Sequence, residues 1–130
     1  MAVQPSSMSV SIPLPVAMVT SFESSGARLH LPTSMVLGGA LEEVALWIKK
    51  GWRPKMLPPS GEVYIILRLA RTRKREMDEL AEKAGMKFVD IARIAAWGAL
   101  LKMDASDQIL WPLKFTKVQL KNAVAEASTG

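Results

Sequence analysis

The sequence predicts a mainly all-α protein: an extended arm over residues 1–32, then a bundle of about four helices over 33–130. Three observations carry that expectation. Residues 1–32 are rich in Pro and Ser, which leaves no room for a long helix. Apolar residues recur at helical spacing in three later stretches. The length of 130 residues fits a single domain with a single core.

The arm reads MAVQPSSMSVSIPLPVAMVTSFESSGARLHLP and carries no charge before Glu23. By itself it buries too little to offset a backbone entropy of roughly 1–2 kcal/mol per residue. It is therefore expected to dock on its own body or on a neighbouring subunit. Val10, Ile12, Leu14, Val16, Met18, Val19 and Phe22 are its contact residues.

The first helix is expected after Pro32, with Thr33 or Ser34 as N-cap. Leu37, Leu41, Val44, Ala45 and Ile48 form its apolar stripe, Glu42 and Glu43 lie on a solvated face, and Gly51 ends it. Gly38 and Gly39 each cost about 1 kcal/mol relative to Ala inside a helix. Close approach of a backbone or a phosphate explains them, and so does fraying of the first turn. GWRPKMLPPSG, 51–61, is a loop whose Ser60 can cap the next element.

Residues 62–84, EVYIILRLARTRKREMDELAEKA, admit two forms. As one helix, Val63, Ile66, Leu67, Ala70, Met77, Leu80, Ala81 and Ala84 share a face. The alternative is a short strand at 63–69 followed by a shorter helix capped by Thr72. Gly85 is a C-cap glycine. The stretch 87–103 is a helix that is apolar nearly all round, so it must be covered on all sides. One subunit of this size is not expected to supply that cover, which puts Phe88, Ile91, Ile94 and Trp97 at a subunit interface. The last helix runs from Pro112 or Leu113 to Ala127, with Lys114, Lys117 and Lys121 on its outer face.

Composition removes most catalytic classes. There is no Cys, hence no disulfide, thiolate metal site or cysteine nucleophile, and His30 is the single histidine. No phosphate-binding glycine loop is present, and Asp104 and Asp107 flank a turn, where a cap is the expected role. No enzyme activity, metal or cofactor is expected. No run of about 20 apolar residues could span a membrane.

Charge is the informative feature. Residues 1–48 carry −2, 49–75 carry +8, 76–107 carry −3 and 108–130 carry +2, within a net +5. A basic belt of that density points to a polyanion. It consists of Lys49, Lys50, Arg53 and Lys55, then Arg68, Arg71, Arg73, Lys74 and Arg75. On a helix Arg68, Arg71 and Arg75 would share one face, and guanidinium forks suit phosphate. Trp52, inside KKGWRPK, is expected to be an amphipathic anchor rather than a base-stacking residue.

Within 62–104, the run YIILRLA, then RTRKREMDELAEKAG, then KFVDIARIAAWGALL resembles the ribbon-helix-helix DNA-binding family. That resemblance implies a dimer whose strands pair with one another and enter the major groove. Alternate residues, either Tyr64, Ile66 and Arg68 or Ile65, Leu67 and Leu69, would then face the bases. The whole layout of arm, helical body and basic face resembles the major coat proteins of filamentous viruses of hyperthermophilic archaea. That likeness implies an all-helical subunit that pairs with itself or a paralogous coat protein and wraps double-stranded DNA in A-form within a virion. An envelope contact through the uncharged arm fits the same picture. The expected function is a structural nucleoprotein that grips duplex phosphates without reading sequence. The alternative is a dimeric ribbon-helix-helix regulator or chromatin protein in the cytoplasm, associated with the nucleoid.

Overall fold

A computed structural model of the chain describes residues 6–59 and 61–129. Its elements are β1 (Ser7–Leu14), α1 (Val16–Arg28), α2 (Thr33–Lys49), β2 (Val63–Ala70), α3 (Arg71–Lys83), α4 (Phe88–Asp104) and α5 (Lys117–Thr129). The all-α expectation is overturned, because the fold combines five helices with a two-stranded antiparallel sheet among the described residues. The expected extended arm is likewise replaced by a strand and a helix that belong to the same core.

The physical reason lies in two alternations. In β1, Met8, Val10, Ile12 and Leu14 alternate with Ser7, Ser9, Ser11 and Pro13, a period of two that sends one set to each face. In β2, Ile65 and Leu67 point into the core while Tyr64, Ile66 and Arg68 point out. The two strands pair from Ser7↔Ala70 to Leu14↔Val63. Pairing therefore sets the two apolar rows side by side on one face of the ribbon, and a single helix over 62–84 is excluded. Pro13 is tolerated because each strand of a two-stranded ribbon has an edge that needs no ladder partner. Gly61, at φ 122°, is required here: a Cβ would come within 2.6 Å of the Pro13 carbonyl carbon.

Pro15 occupies the N-cap of α1, and Met18, Phe22 and Ser25 turn inward at helical spacing. His30, with φ 56°, closes the helix: its N–H donates to Ala27 and that of Leu31 to Gly26. The chain then bends by 107° into α2. The N-cap of α2 is Pro32, without a side-chain cap, in place of Thr33 or Ser34. The proposed Ser60 cap lies outside the described residues. Among those residues no single helix is long and apolar enough to cross a membrane.

The apolar helix α4 is the centre of the molecule. It contacts α2, α5, α1, β1 and α3 of its own chain. Cover from a second subunit is thus not needed to bury Ile91 and Ile94, correcting the interface expected there. Residues 105–116 fold back over α2 and α4. Glu43 anchors them: its carboxylate is buried and accepts hydrogen bonds from the Phe115 N–H at 2.7 Å and from Trp47 Nε1 at 3.3 Å. Glu43 is therefore not on a solvated face. Gly39 lets the Trp111 ring pack against α2, so neither a phosphate nor a backbone explains it. A reciprocal capping box between Thr116 and Gln119 starts α5, at 2.8 and 3.2 Å.

Candidate nucleic-acid interface

The nine basic residues of the belt separate into those that hold the fold together and those that face outward. Arg73 binds the Glu42 carboxylate with two nitrogens, the Nε contact at 2.8 Å, and reaches Glu76 at 2.7 Å. The hydrogen bond to Glu42 is the largest influence raising its pKa above the ordinary arginine value. This cluster ties the first turn of α3 to α2. Lys74 is paired with Asp78 at 2.7 Å and sits 4.6 Å above the Phe88 ring. Arg53 donates to the carbonyls of Ile48 and Trp52, both at 2.9 Å, closing the end of α2. Trp52 is half-buried against the core, as an anchor.

The outward set is Lys49, Lys50, Lys55, Arg68, Arg71 and Arg75, all exposed. Because β2 is a strand, Arg68, Arg71 and Arg75 do not share the helical face that the spacing suggested. They are brought together differently. Arg68 stands on the outer face of the ribbon and donates to Ser7 Oγ at 2.9 Å. β2 passes directly into α3, whose first residue is Arg71, and the Arg71 N–H donates to the Ser6 carbonyl at 3.0 Å. Arg71 and Arg75 follow at i and i+4 on the exposed side of α3. Lys49 continues the α2 stripe of Glu42 and Leu46, roughly 10 Å along the axis from the Arg73 cluster.

The charge order of α3 is unusual. Its first turn holds no acid and no side chain caps it, while Glu76, Asp78, Glu79 and Glu82 follow. A helix dipole favours the opposite order, typically by about 0.3–1 kcal/mol per charge. Cations at the positive end of a helix that no side chain caps create a local field that an anion relieves.

The ribbon's outer face bears Tyr64 and Ile66, 64% and 57% exposed, beside Arg68, with Ser7, Ser9 and Ser11 across the ladder. Of the two candidate base-facing sets, Tyr64, Ile66 and Arg68 face outward, whereas Ile65 and Leu67 belong to the core and Leu69 packs against it. The serines were not singled out from sequence, although their alternation in SMSVSIP was readable. The residues expected to assemble subunits are mostly used within the chain. Ile12, Leu14, Phe22, Ile91 and Ile94 are fully buried, and Val10, Phe88 and Trp97 pack against the core. Only Val16, 45% exposed, remains largely at the surface among them.

Among the described residues no cluster of three His, Cys, Asp or Glu side chains could hold a metal. Asp104 accepts from Ser25 Oγ at 2.6 Å, and Asp107 lies 3.8 Å from Arg28. Comparison of the chain with protein-family models, curated proteins and solved structures gave no match in any of the three.

Proposed function

We propose that this chain is a double-stranded DNA-binding protein that grips the phosphate backbone rather than reading sequence. The observation that carries the proposal is the junction of β2 and α3. There Arg68, Arg71 and Arg75 lie along the end of β2 and the first turns of α3, a helix start that no side chain caps, beside the exposed outer face of a two-stranded ribbon. A ribbon of this kind fits the major groove, and eight residues span about 26 Å at roughly 3.3 Å each. On that face only Tyr64 and Arg68 carry groups that could discriminate bases, and Arg68 is engaged with Ser7 Oγ, so base reading is poorly equipped. Lys49 and Lys50 extend the grip, while Arg73, Lys74 and Arg53 position it.

The role that follows is a structural nucleoprotein. It does not lean on the likeness to filamentous-virus coat proteins, since the all-helical subunit implied there is not this fold. A regulator of the ribbon-helix-helix kind is the second reading, favoured by the succession β2, α3, α4. Against it, the ladder partner of β2 is β1 of the same chain, whereas that family pairs strands between subunits.

Fluorescence anisotropy with several duplexes of unrelated sequence tests the proposal. Equal affinity for all of them is expected. Preference for one sequence by a factor of about 10³ or more would make the protein a regulator instead. Electron microscopy of the same mixtures distinguishes a filament from discrete complexes.

A further inference from the structure

A cavity of about 620 Å³ lies away from the β2–α3 junction, between residues 54–59, Pro13 of β1, the α3–α4 turn and the first turns of α4. Its walls are apolar, formed chiefly by prolines together with Met56, Met86 and Val89. Its charged residues are Lys55, Lys87, Arg93 and one acid, Asp90. Lys55 and Lys87 are exposed, whereas Arg93 is 3% exposed.

Arg93 is held by neutral acceptors, Nη1 to the Pro58 carbonyl at 2.8 Å and Nη2 to that of Ala127 at 3.2 Å. Asp90 stands at 3.8 Å, and Nε finds no acceptor among the described residues. Burial pushes the guanidinium below its ordinary pKa, and Asp90 offsets that only in part. Asp90 pairs loosely with Arg93, and Lys55 and Lys87 leave the wall with a net positive charge. Lys87 is also the N-cap of α4, which no side chain caps, so the helix dipole adds to the same sign.

We infer that this cavity binds a small organic carboxylate with an apolar tail, the tail against the proline and methionine walls and the carboxylate toward Lys55, Lys87 and Arg93. The volume suits such a molecule, because small-ligand sites run from about 300 to 1,000 Å³. Three cations against one acid select an anion. The apolar walls disfavour a bare, strongly hydrated one such as phosphate. The inference is independent of DNA binding, and it gives Lys55 a role away from the duplex.

Titration calorimetry on the full chain without nucleic acid tests it, with octanoate, octylammonium and inorganic phosphate as probes. Octanoate is expected to bind saturably at one site, and the other two are not. The exposed pair Lys55→Gln and Lys87→Gln, together, should fold normally and weaken octanoate by about tenfold, the equivalent of one modest charge interaction. No saturable octanoate binding would overturn the inference. So would equal binding of octylammonium, equal binding of phosphate, or unchanged octanoate affinity in the double variant.

Discussion

Replacing Leu67 and Ile66 by alanine, one at a time, tests the geometry on which the interface depends. The two residues are neighbours in β2, yet Leu67 is 2% exposed and Ile66 is 57% exposed. Leu67→Ala removes a fully buried side chain and leaves a cavity, which costs roughly 2.7–5 kcal/mol. Ile66→Ala removes a side chain that is mostly in water. Its loss is bounded by β-propensity and partial burial at about 1 kcal/mol. Urea unfolding followed by circular dichroism separates these values. With a slope of about 1.5 kcal/mol/M, Leu67→Ala should lower the midpoint by about 2–3 M and Ile66→Ala by no more than about 0.7 M. Comparable losses would refute the reasoning, since a helix over 62–84 places both residues on one apolar face. The outward face of the ribbon would then not exist.

Other perturbations address the surrounding structure. A double-mutant cycle of Arg73→Ala and Glu42→Ala should give a coupling of about 0.5–1 kcal/mol that shrinks with salt, because both side chains are partly exposed. Gly38→Ala should stabilise α2 by about 0.5–1 kcal/mol, as a Cβ there meets nothing within 4 Å. Gly39→Ala should instead cost about 1–3 kcal/mol, because its Cβ would sit 2.6 Å from the Trp111 ring; thermal denaturation of the pair checks both. Deleting residues 1–15 should prevent folding, read as loss of a cooperative transition, because Ile12 and Leu14 are fully buried and β2 loses its ladder.

The helices that depend on local signals were legible. α2 and α4 follow from their apolar spacing, and Gly51 and Gly85 end α2 and α3 with positive φ where a C-cap glycine was expected. The N-terminus was legible as a segment docked on its own body through Ile12, Leu14, Met18 and Phe22, but not as a strand followed by a helix. Pro and Ser suggested an arm, yet Pro15 starts a helix, and the serines of β1 occupy the solvent face of a strand. The period of two over Met8–Leu14 was in the sequence, but its meaning depends on a partner 49 to 61 residues away. The start of α5 was placed several residues too early because the Thr116–Gln119 box was overlooked.

The belt was visible as charge but not as a site. Ion pairing of Arg73 with Glu42 and packing of Lys74 on Phe88 are tertiary facts that spacing along the chain cannot carry. The same is true of Arg93, which the apolar helix around it made look incidental and which holds residues 58 and 127 together.

The salt dependence of duplex binding tests the central claim most directly, measured for the wild-type chain and for the triple variant Arg68→Gln, Arg71→Gln, Arg75→Gln. With about five phosphates engaged, log K should fall against log[salt] with a slope of about −4.5 between about 50 and 200 mM. The triple variant should stay cooperatively folded, losing at most the small contribution of exposed contacts such as that of Arg68 to Ser7, and flatten the slope to about −2, roughly one unit for each cation removed. A slope that the triple variant leaves unchanged, or no duplex binding by the wild-type chain at the lowest salt, would contradict the assignment of the β2–α3 junction as a phosphate grip.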